Sequence, residues 1–323
     1  MKKIPLIILT VVICLVSFGT FAGCDTETSL QVYVPDGAPA LAVANIISEG
    51  KAGGVKAEVT VSTGDDVVSK CASGQADIAL VPTNAAVRLC SVNPSYSLFT
   101  VNVWGLLYVI GYRNVQSLAE LAGANVASIG LGNTGEYLFK RILASSGTSL
   151  NDVNIKYVDD GTTAIGMLMQ NKCDFALLGE PAATNAINKA AASGKTLYRV
   201  FDLQALWRDV TDSGETGYPQ ASVIVKKSLL KQRGFADALY KTLTDNAAFL
   251  SANADSLNDL LQSAGSLLDV NYTADIISRC NIRAVKANGI KQEIFDYLSE
   301  FGEQFTNLLK DGIYYDFDGE KAS

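Results

Sequence analysis

Histidine is absent from all 323 residues. That removes the commonest general base and the commonest metal-ligating side chain. It also removes the usual Ser–His and Cys–His nucleophile systems. No G-x-S-x-G elbow and no P-loop lysine motif occurs. The expectation is a protein that is not an enzyme and needs neither a cofactor nor a metal. Positive charge is in deficit, with 26 Lys+Arg against 33 Asp+Glu and a net charge of −7. This excludes nucleic acid as a partner and argues against adhesion to anionic lipid by charge. No long apolar run follows Phe21, so no further membrane span is expected.

What is present begins with Met1-Lys2-Lys3, a short positive segment, followed by an almost unbroken apolar run from Ile4 to Phe21. The run ends in Phe21-Ala22-Gly23-Cys24, and Asp25 opens a polar stretch. This reads as a secretory signal peptide over residues 1–23. Its end resembles a bacterial lipobox, with Phe21 where leucine is more usual. That resemblance implies Cys24 as a lipidated mature N-terminus and a chain outside the cytoplasm on the cell membrane. A plain transmembrane anchor is the alternative, but it gives no reason for Ala-Gly-Cys at the boundary.

Cys71, Cys90, Cys173 and Cys280 remain. Their spacings fit no zinc pattern. Export permits disulfides, and the sequence does not pair these four. Their apolar surroundings favour buried free thiols.

The remaining ~300 residues suit two domains, and a hydrophobic share of 48% is ample for two cores. Short β-rich runs alternate with helical periods. Strands are expected at Leu30–Val34, Glu58–Val61, Ile78–Val81, Asn125–Ile129, Ile155–Val158, Phe175–Leu178 and Ala221–Val225. A long terminal helix is expected from Ile290, Ile294, Leu298, Phe301, Phe305 and Leu308. The βαβ order implies mainly parallel sheets flanked by helices. The halves also share a pattern. Gly74-Gln75-Ala76-Asp77-Ile78-Ala79-Leu80-Val81 aligns with Asn171-Lys172-Cys173-Asp174-Phe175-Ala176-Leu177-Leu178, 97 positions later. Leu41 and Leu138 share that offset. A repeat of this length implies two similar lobes. The expected division is residues 24–112 plus 219–323 for lobe one and 113–218 for lobe two, with crossings near Gly111–Asn114 and Gly217–Gln220.

Ligands of open α/β sheets sit beyond the carboxyl ends of the strands. The candidate site residues are therefore Asp36, Gly37 and Ala38, Thr63 and Asp65, Thr83 and Asn84, Asn133 and Thr134, and Glu180. Each loop precedes a helix, so free N–H groups and the positive end of the helix dipole face a ligand. Trp104, after an apolar run and before Gly105, and Tyr218, at the second crossing, each offer a ring to stack on a planar solute or pack in the core. Asp36 and Glu180 suit hydrogen-bond donors on an amine or heterocycle and repel a bare anion. No Arg or Lys lies within these loops, which favours a neutral or amino-bearing organic solute over nitrate or sulfonate.

Val32–Ala40, Gly74–Ala86, Trp104-Gly105, Gly179-Glu180-Pro181 and Arg279-Cys280-Asn281-Ile282 together resemble the type II periplasmic binding protein superfamily. The nearest branch is similar to the sulfonate, nitrate and thiamine-precursor group of ABC solute-binding lipoproteins. The resemblance implies two lobes joined by two crossover segments, closing over one small organic solute, pyrimidine- or amine-like or sulfonate-like. It also implies an ABC permease and its ATPase as partners of a monomer. Two rival readings stand beside it. Gly130-Leu131-Gly132-Asn133-Thr134-Gly135 is a literal G-x-G-x-x-G between a strand and a helix, and Asp159 ends the next strand. That is the context of a dinucleotide-binding oxidoreductase, though the glycines equally serve a helix entry. The other rival is a structural surface lipoprotein. It gives no reason for polar, glycine-marked loops after matching strands in both halves.

Overall fold

The computed structural model describes residues 29–129, 131, 134–211 and 217–319. The signal segment, Cys24, Gly130, Gly132 and Asn133 lie outside the described residues. No helix among the described residues is long and apolar enough to cross a membrane.

The strands run in chain order β1 (Leu30–Pro35), β2 (Lys51–Ala52), β3 (Val55–Ser62), β4 (Ile78–Pro82), β5 (Tyr96–Val103), β6 (Leu107–Gly111), β7 (Asn125–Ile129), β8 (Asn154–Val158), β9 (Phe175–Gly179), β10 (Tyr198–Asp202), β11 (Ala221–Lys226) and β12 (Ile282–Lys286). They form two sheets, ordered β12-β5-β11-β4-β1-β3-β2 and β10-β6-β9-β7-β8. In each, a parallel trio carries the βαβ units: β3-β1-β4 in the first and β8-β7-β9 in the second. Each trio is extended by an antiparallel strand from the far side of a crossing, β11 beside β4 and β6 beside β9.

β6 therefore belongs to the second sheet, and the chain passes between sheets at Trp104–Leu106. The expected crossing at Gly111–Asn114 lies one strand too late. An apolar strand looks alike on either side of a crossing, so periodicity does not locate the step. The return falls between the Leu203–Thr211 helix and β11, a span that includes Gly217–Gln220.

Sheets covered on both faces need apolar side chains at every position, because successive residues point to opposite faces. β4 does this with Ala79 and Val81 in one buried cluster and Ile78 and Leu80 in another. β9 repeats it, with Phe175 and Leu177 on one face and Ala176 and Leu178 on the other. The cluster holding Ala79 and Leu177 is continuous across both sheets. Trp207, Tyr218, Tyr297 and Phe301 form its middle. Tyr297 stacks on Tyr218 at 5.5 Å and meets Trp207 edge-on at 5.7 Å.

The repeat extends to its hydrogen bonds. The Asp77 N–H donates to the Gln31 carbonyl at 2.8 Å, and its carboxylate accepts the Gln31 N–H at 2.8 Å. Asp174 and Asn125 make the same two bonds at the same distances. The helices Gly64–Ala72 and Gly161–Met169, with their capping residues Thr63 and Asp160, also lie 97 positions apart. Gly74 (φ 73°) and Asn171 (φ 55°) share the left-handed turn between helix and strand.

The expected terminal helix is broken. Lys291–Ser299 and Glu303–Thr306 are separate helices, and Gly302 stands between them at φ 117°, outside helical space. All four cysteines of the described residues are buried and free.

Candidate functional site

The carboxyl ends of β1, β3 and β4 and of β7, β8 and β9 carry the candidate loops. They meet across the lobes. A Cβ placed on Gly37 would lie 3.8 Å from Pro181 and 3.9 Å from Leu268. Glu180, after β9, is bonded by Arg279 at 3.2 Å, and Arg279 ends the Ala274–Arg279 helix that packs on the first sheet's side.

The crossing segments lie against each other beneath these loops. Gly105 has φ 78°, and a Cβ there would come within 2.9 Å of the Tyr218 ring. Trp104 is buried. Its N–H donates to the Asn281 carbonyl at 3.1 Å, and its indole Nε1 donates to the Arg283 carbonyl at 3.0 Å. Its own carbonyl accepts the Asn281 side-chain amide. The Arg283 guanidinium lies 4.3 Å from its ring centroid. Asn281 adopts φ 47° to make this clasp, a conformation asparagine tolerates better than most residues. Tyr218 is buried as well, and its hydroxyl donates to Gln204 Oε1 at 3.0 Å. Burial, reinforced by Tyr297 and Asp202, pushes that phenol well above its ordinary value. Both rings are packed in the core beside the crossing segments.

The polar candidates have definite partners. Asp36 accepts from the Gly37 N–H at 2.8 Å, the Ser266 hydroxyl at 2.6 Å and the Leu267 N–H at 2.8 Å. It thereby ties the 265–268 loop to the end of β1. Ala38 is buried at the start of its short helix. Thr63 caps its helix by accepting the Asp66 N–H at 3.3 Å, and Asp65 is exposed in the first turn. Thr83 is buried and shares a 2.8 Å hydrogen bond with Ser222 of β11. Asn84 is half-buried and accepts the Ala85 N–H at 2.9 Å. The helix it opens, Thr83–Val92, has no side-chain bond from its capping residue, Pro82. Thr134 is buried near the Tyr297 phenol, and its hydroxyl makes no well-formed hydrogen bond among the described residues.

Glu180 has the densest set. Its side chain is fully buried. It accepts the Thr184 N–H at 3.1 Å and the Thr184 hydroxyl at 2.8 Å, and it pairs with Arg199 and Arg279. Arg199 lies along Tyr108, 4.7 Å from the ring centroid. Burial, with the negative charges of Asp202 and Glu180, pushes the Tyr108 phenol up to about 12. The sequence singles out neither arginine as a site residue, although Arg279 lies in a stretch that carries the family resemblance. Arg199 sits mid-strand and Arg279 far along the chain, and only the fold brings them to Glu180. Glu180 and Asp36 thus use their acceptor capacity within the protein.

β7 lies in a parallel trio, β8-β7-β9, continued on the β9 side by β6, antiparallel to β9, and then by β10, antiparallel to β6. Among the described residues the antiparallel β6 stands where an open dinucleotide-binding sheet would continue with a further parallel strand.

No family model and no curated protein sequence matches the chain. Solved structures do. An ABC transporter protein from Parabacteroides distasonis is 19% identical, with a TM-score of 0.74 over 90% of this chain and 99% of that one. The periplasmic aliphatic sulphonate binding protein SsuA from Escherichia coli is 14% identical, with a TM-score of 0.62 over 89% and 92%. The alkanesulfonate-binding protein SsuA from Xanthomonas axonopodis pv. citri, solved bound to MOPS, is 14% identical, with a TM-score of 0.60 over 88% and 96%. The chain has the two-lobed type II periplasmic-binding-protein fold.

Proposed function

We propose that this chain is the extracytoplasmic solute-binding component of an ABC importer. It captures one small organic solute between its lobes, and the closed form docks on a permease coupled to an ATPase. A lipid on Cys24 holds it at the membrane. The observation that carries this reading is the meeting of strand-end loops from two separate sheets above a paired crossing, at Gly37 with Pro181 and at Arg279 with Glu180. A solute that touches both lobes favours closure by its differential contacts.

The donors at the strand ends suit a solute rich in acceptors. Asp36 and Glu180 are already satisfied, so neither is open to an amine. At the Thr83–Val92 helix start Pro82 gives no side-chain cap, the Thr83 N–H donates to the Gln220 carbonyl and the Ala85 N–H to Asn84, which leaves the Asn84 N–H as the donor proposed for an anion or a carbonyl-like oxygen. Of the solute classes the sequence leaves open, this supports the sulfonate-like one. Asn84, Thr134 and the adjacent Asn133 are the side chains proposed to reach it.

Thermal shift against a panel of sulfonates, carboxylates, pyrimidines and amines tests the reading. An acceptor-rich solute at one hundred times its Kd should stabilise by about 2.7 kcal/mol. Asn84→Ala should abolish that shift and leave the ligand-free melting point nearly unchanged. NAD should have no effect. Stabilisation by NAD and by no member of the panel would overturn the proposal. Cys24→Ser should release the protein from the membrane fraction, since the lipid supplies the anchor.

A further inference from the structure

We infer that Arg279 is an inter-lobe closure latch, a side chain that keeps a partner in its own lobe and in the closed form also bonds Glu180 in the other. The inference rests on the two-lobe capture mechanism for its use, but not on the identity of any solute.

Two features set this ion pair apart from a fixed structural one. The first is location. Arg279 leaves the Ala274–Arg279 helix of lobe one and bonds Glu180 at the end of β9 in lobe two, 3.2 Å away. Glu180 is the residue 97 positions after Thr83, so the repeat places the two at equivalent strand ends. Thr83 bonds within its own sheet, to Ser222. Of the two, it is Glu180 that reaches across.

The second feature is redundancy. Breaking a buried ion pair normally strands an uncompensated charge and costs several kcal/mol. Here each end keeps a partner at home. Glu180 retains Arg199, the Thr184 N–H and the Thr184 hydroxyl, all in lobe two. Arg279 retains a two-pronged pair with Asp275 on its own helix turn, and Asp275 is largely exposed. Opening the lobes therefore breaks one hydrogen-bonded ion contact and leaves neither charge unpaired. Such a contact biases closure without locking it. The Arg279 side chain is 24% exposed, so salt reaches it.

The test uses the ligand-free mature chain carrying Cys24→Ser, with spin labels on Ser69→Cys and Lys172→Cys, one exposed site in each lobe. The four remaining native thiols are buried and stay unlabelled. Distance distributions by double electron–electron resonance give the closed-to-open ratio. Arg279→Gln should lower that ratio roughly two- to fivefold, the weight of a partly exposed pair. Raising salt from about 0.02 M to about 0.5 M should lower it in the parent and not in Arg279→Gln. Arg279→Lys should restore part of the ratio. An Arg279→Gln distribution identical to the parent, or equally salt-sensitive, overturns the latch. The solute reading fails separately, if no panel compound shifts the melting point.

Discussion

The two lobes are built on one plan and differ in what they do with its strand ends. Both brace their first and third parallel strands with an aspartate, Asp77 in lobe one and Asp174 in lobe two. Both cap the helix between the second and third parallel strands with a short polar side chain, Thr63 or Asp160. The plan diverges at the residue after the third strand. Thr83 is neutral and closes on its own sheet, whereas Glu180 is charged and gathers two arginines. Lobe one also keeps Cys71, Cys90 and Cys280 buried, while lobe two has Cys173. The shared features hold each lobe together. The unshared charge at Glu180 sits where the lobes meet, and that is where a two-lobed fold must differ from two copies of one domain.

The largest effect is expected where the lobes share a core. Tyr297 is fully enclosed, stacked on Tyr218 and edge-on to Trp207 and Phe301. Tyr297→Ala should cost about 3–5 kcal/mol, the range for removing a large buried aromatic. Because that ring joins the clusters of both sheets, the calorimetric transition should change from one peak to two. A single peak at unchanged temperature would show that the lobes are coupled elsewhere.

Alkali should weaken lobe one more than lobe two. Burial pushes the Cys71 and Cys90 thiols up to about 12 from 9.0. Below about pH 9 both folded and unfolded chains hold these protons, and the contribution to stability is fully present. Above it the unfolded chain loses protons that the folded chain keeps, so stability falls with rising pH until the folded value is reached. By about pH 10 each thiol should have removed roughly 1.4 kcal/mol. Melting curves from about pH 8 to about pH 11 check this, and Cys71→Ala should flatten the decline. Ellman's reagent near neutral pH should find no reactive thiol in the folded mature chain carrying Cys24→Ser.

The paired braces separate next. Asp77 also bonds Lys226 of β11 at 2.9 Å, whereas Asp174 is held by the Asn125 backbone and side-chain amide. Asp77→Ala should cost about 2–3 kcal/mol and Asp174→Ala about 1–2 kcal/mol by urea denaturation. Equal costs would mean that the lysine pair contributes nothing.

Legibility in the sequence follows the range of the interaction. The strands of both parallel trios, the repeat and the strand-end loops are readable, because short apolar runs and turn residues are local. The first crossing is not, because β6 is as apolar as β5 and only pairing shows which sheet it joins. Nor is the break in the terminal helix at Gly302, since the apolar spacing of Phe301 and Phe305 continues across it. Asp36 and Glu180 look available for a ligand because their partners, Ser266, Arg199 and Arg279, are distant in the chain. A carboxylate's location can be read from its loop. Its occupancy cannot.

The smallest expected effect tests the repeat at one backbone position. Gly74 and Asn171 occupy the same left-handed turn, and a Cβ on Gly74 would meet nothing within 4 Å. The cost of replacing Gly74 is therefore conformational alone. Asparagine tolerates this region, as it does at position 171, so Gly74→Asn should change stability by less than about 0.5 kcal/mol. A β-branched residue does not tolerate it, so Gly74→Val should cost about 1–2 kcal/mol although the packing around it is untouched. If Gly74→Asn proved as damaging as Gly74→Val, the turn in lobe one would be held by something other than its dihedral angle, and the equivalence of the two turns would fail.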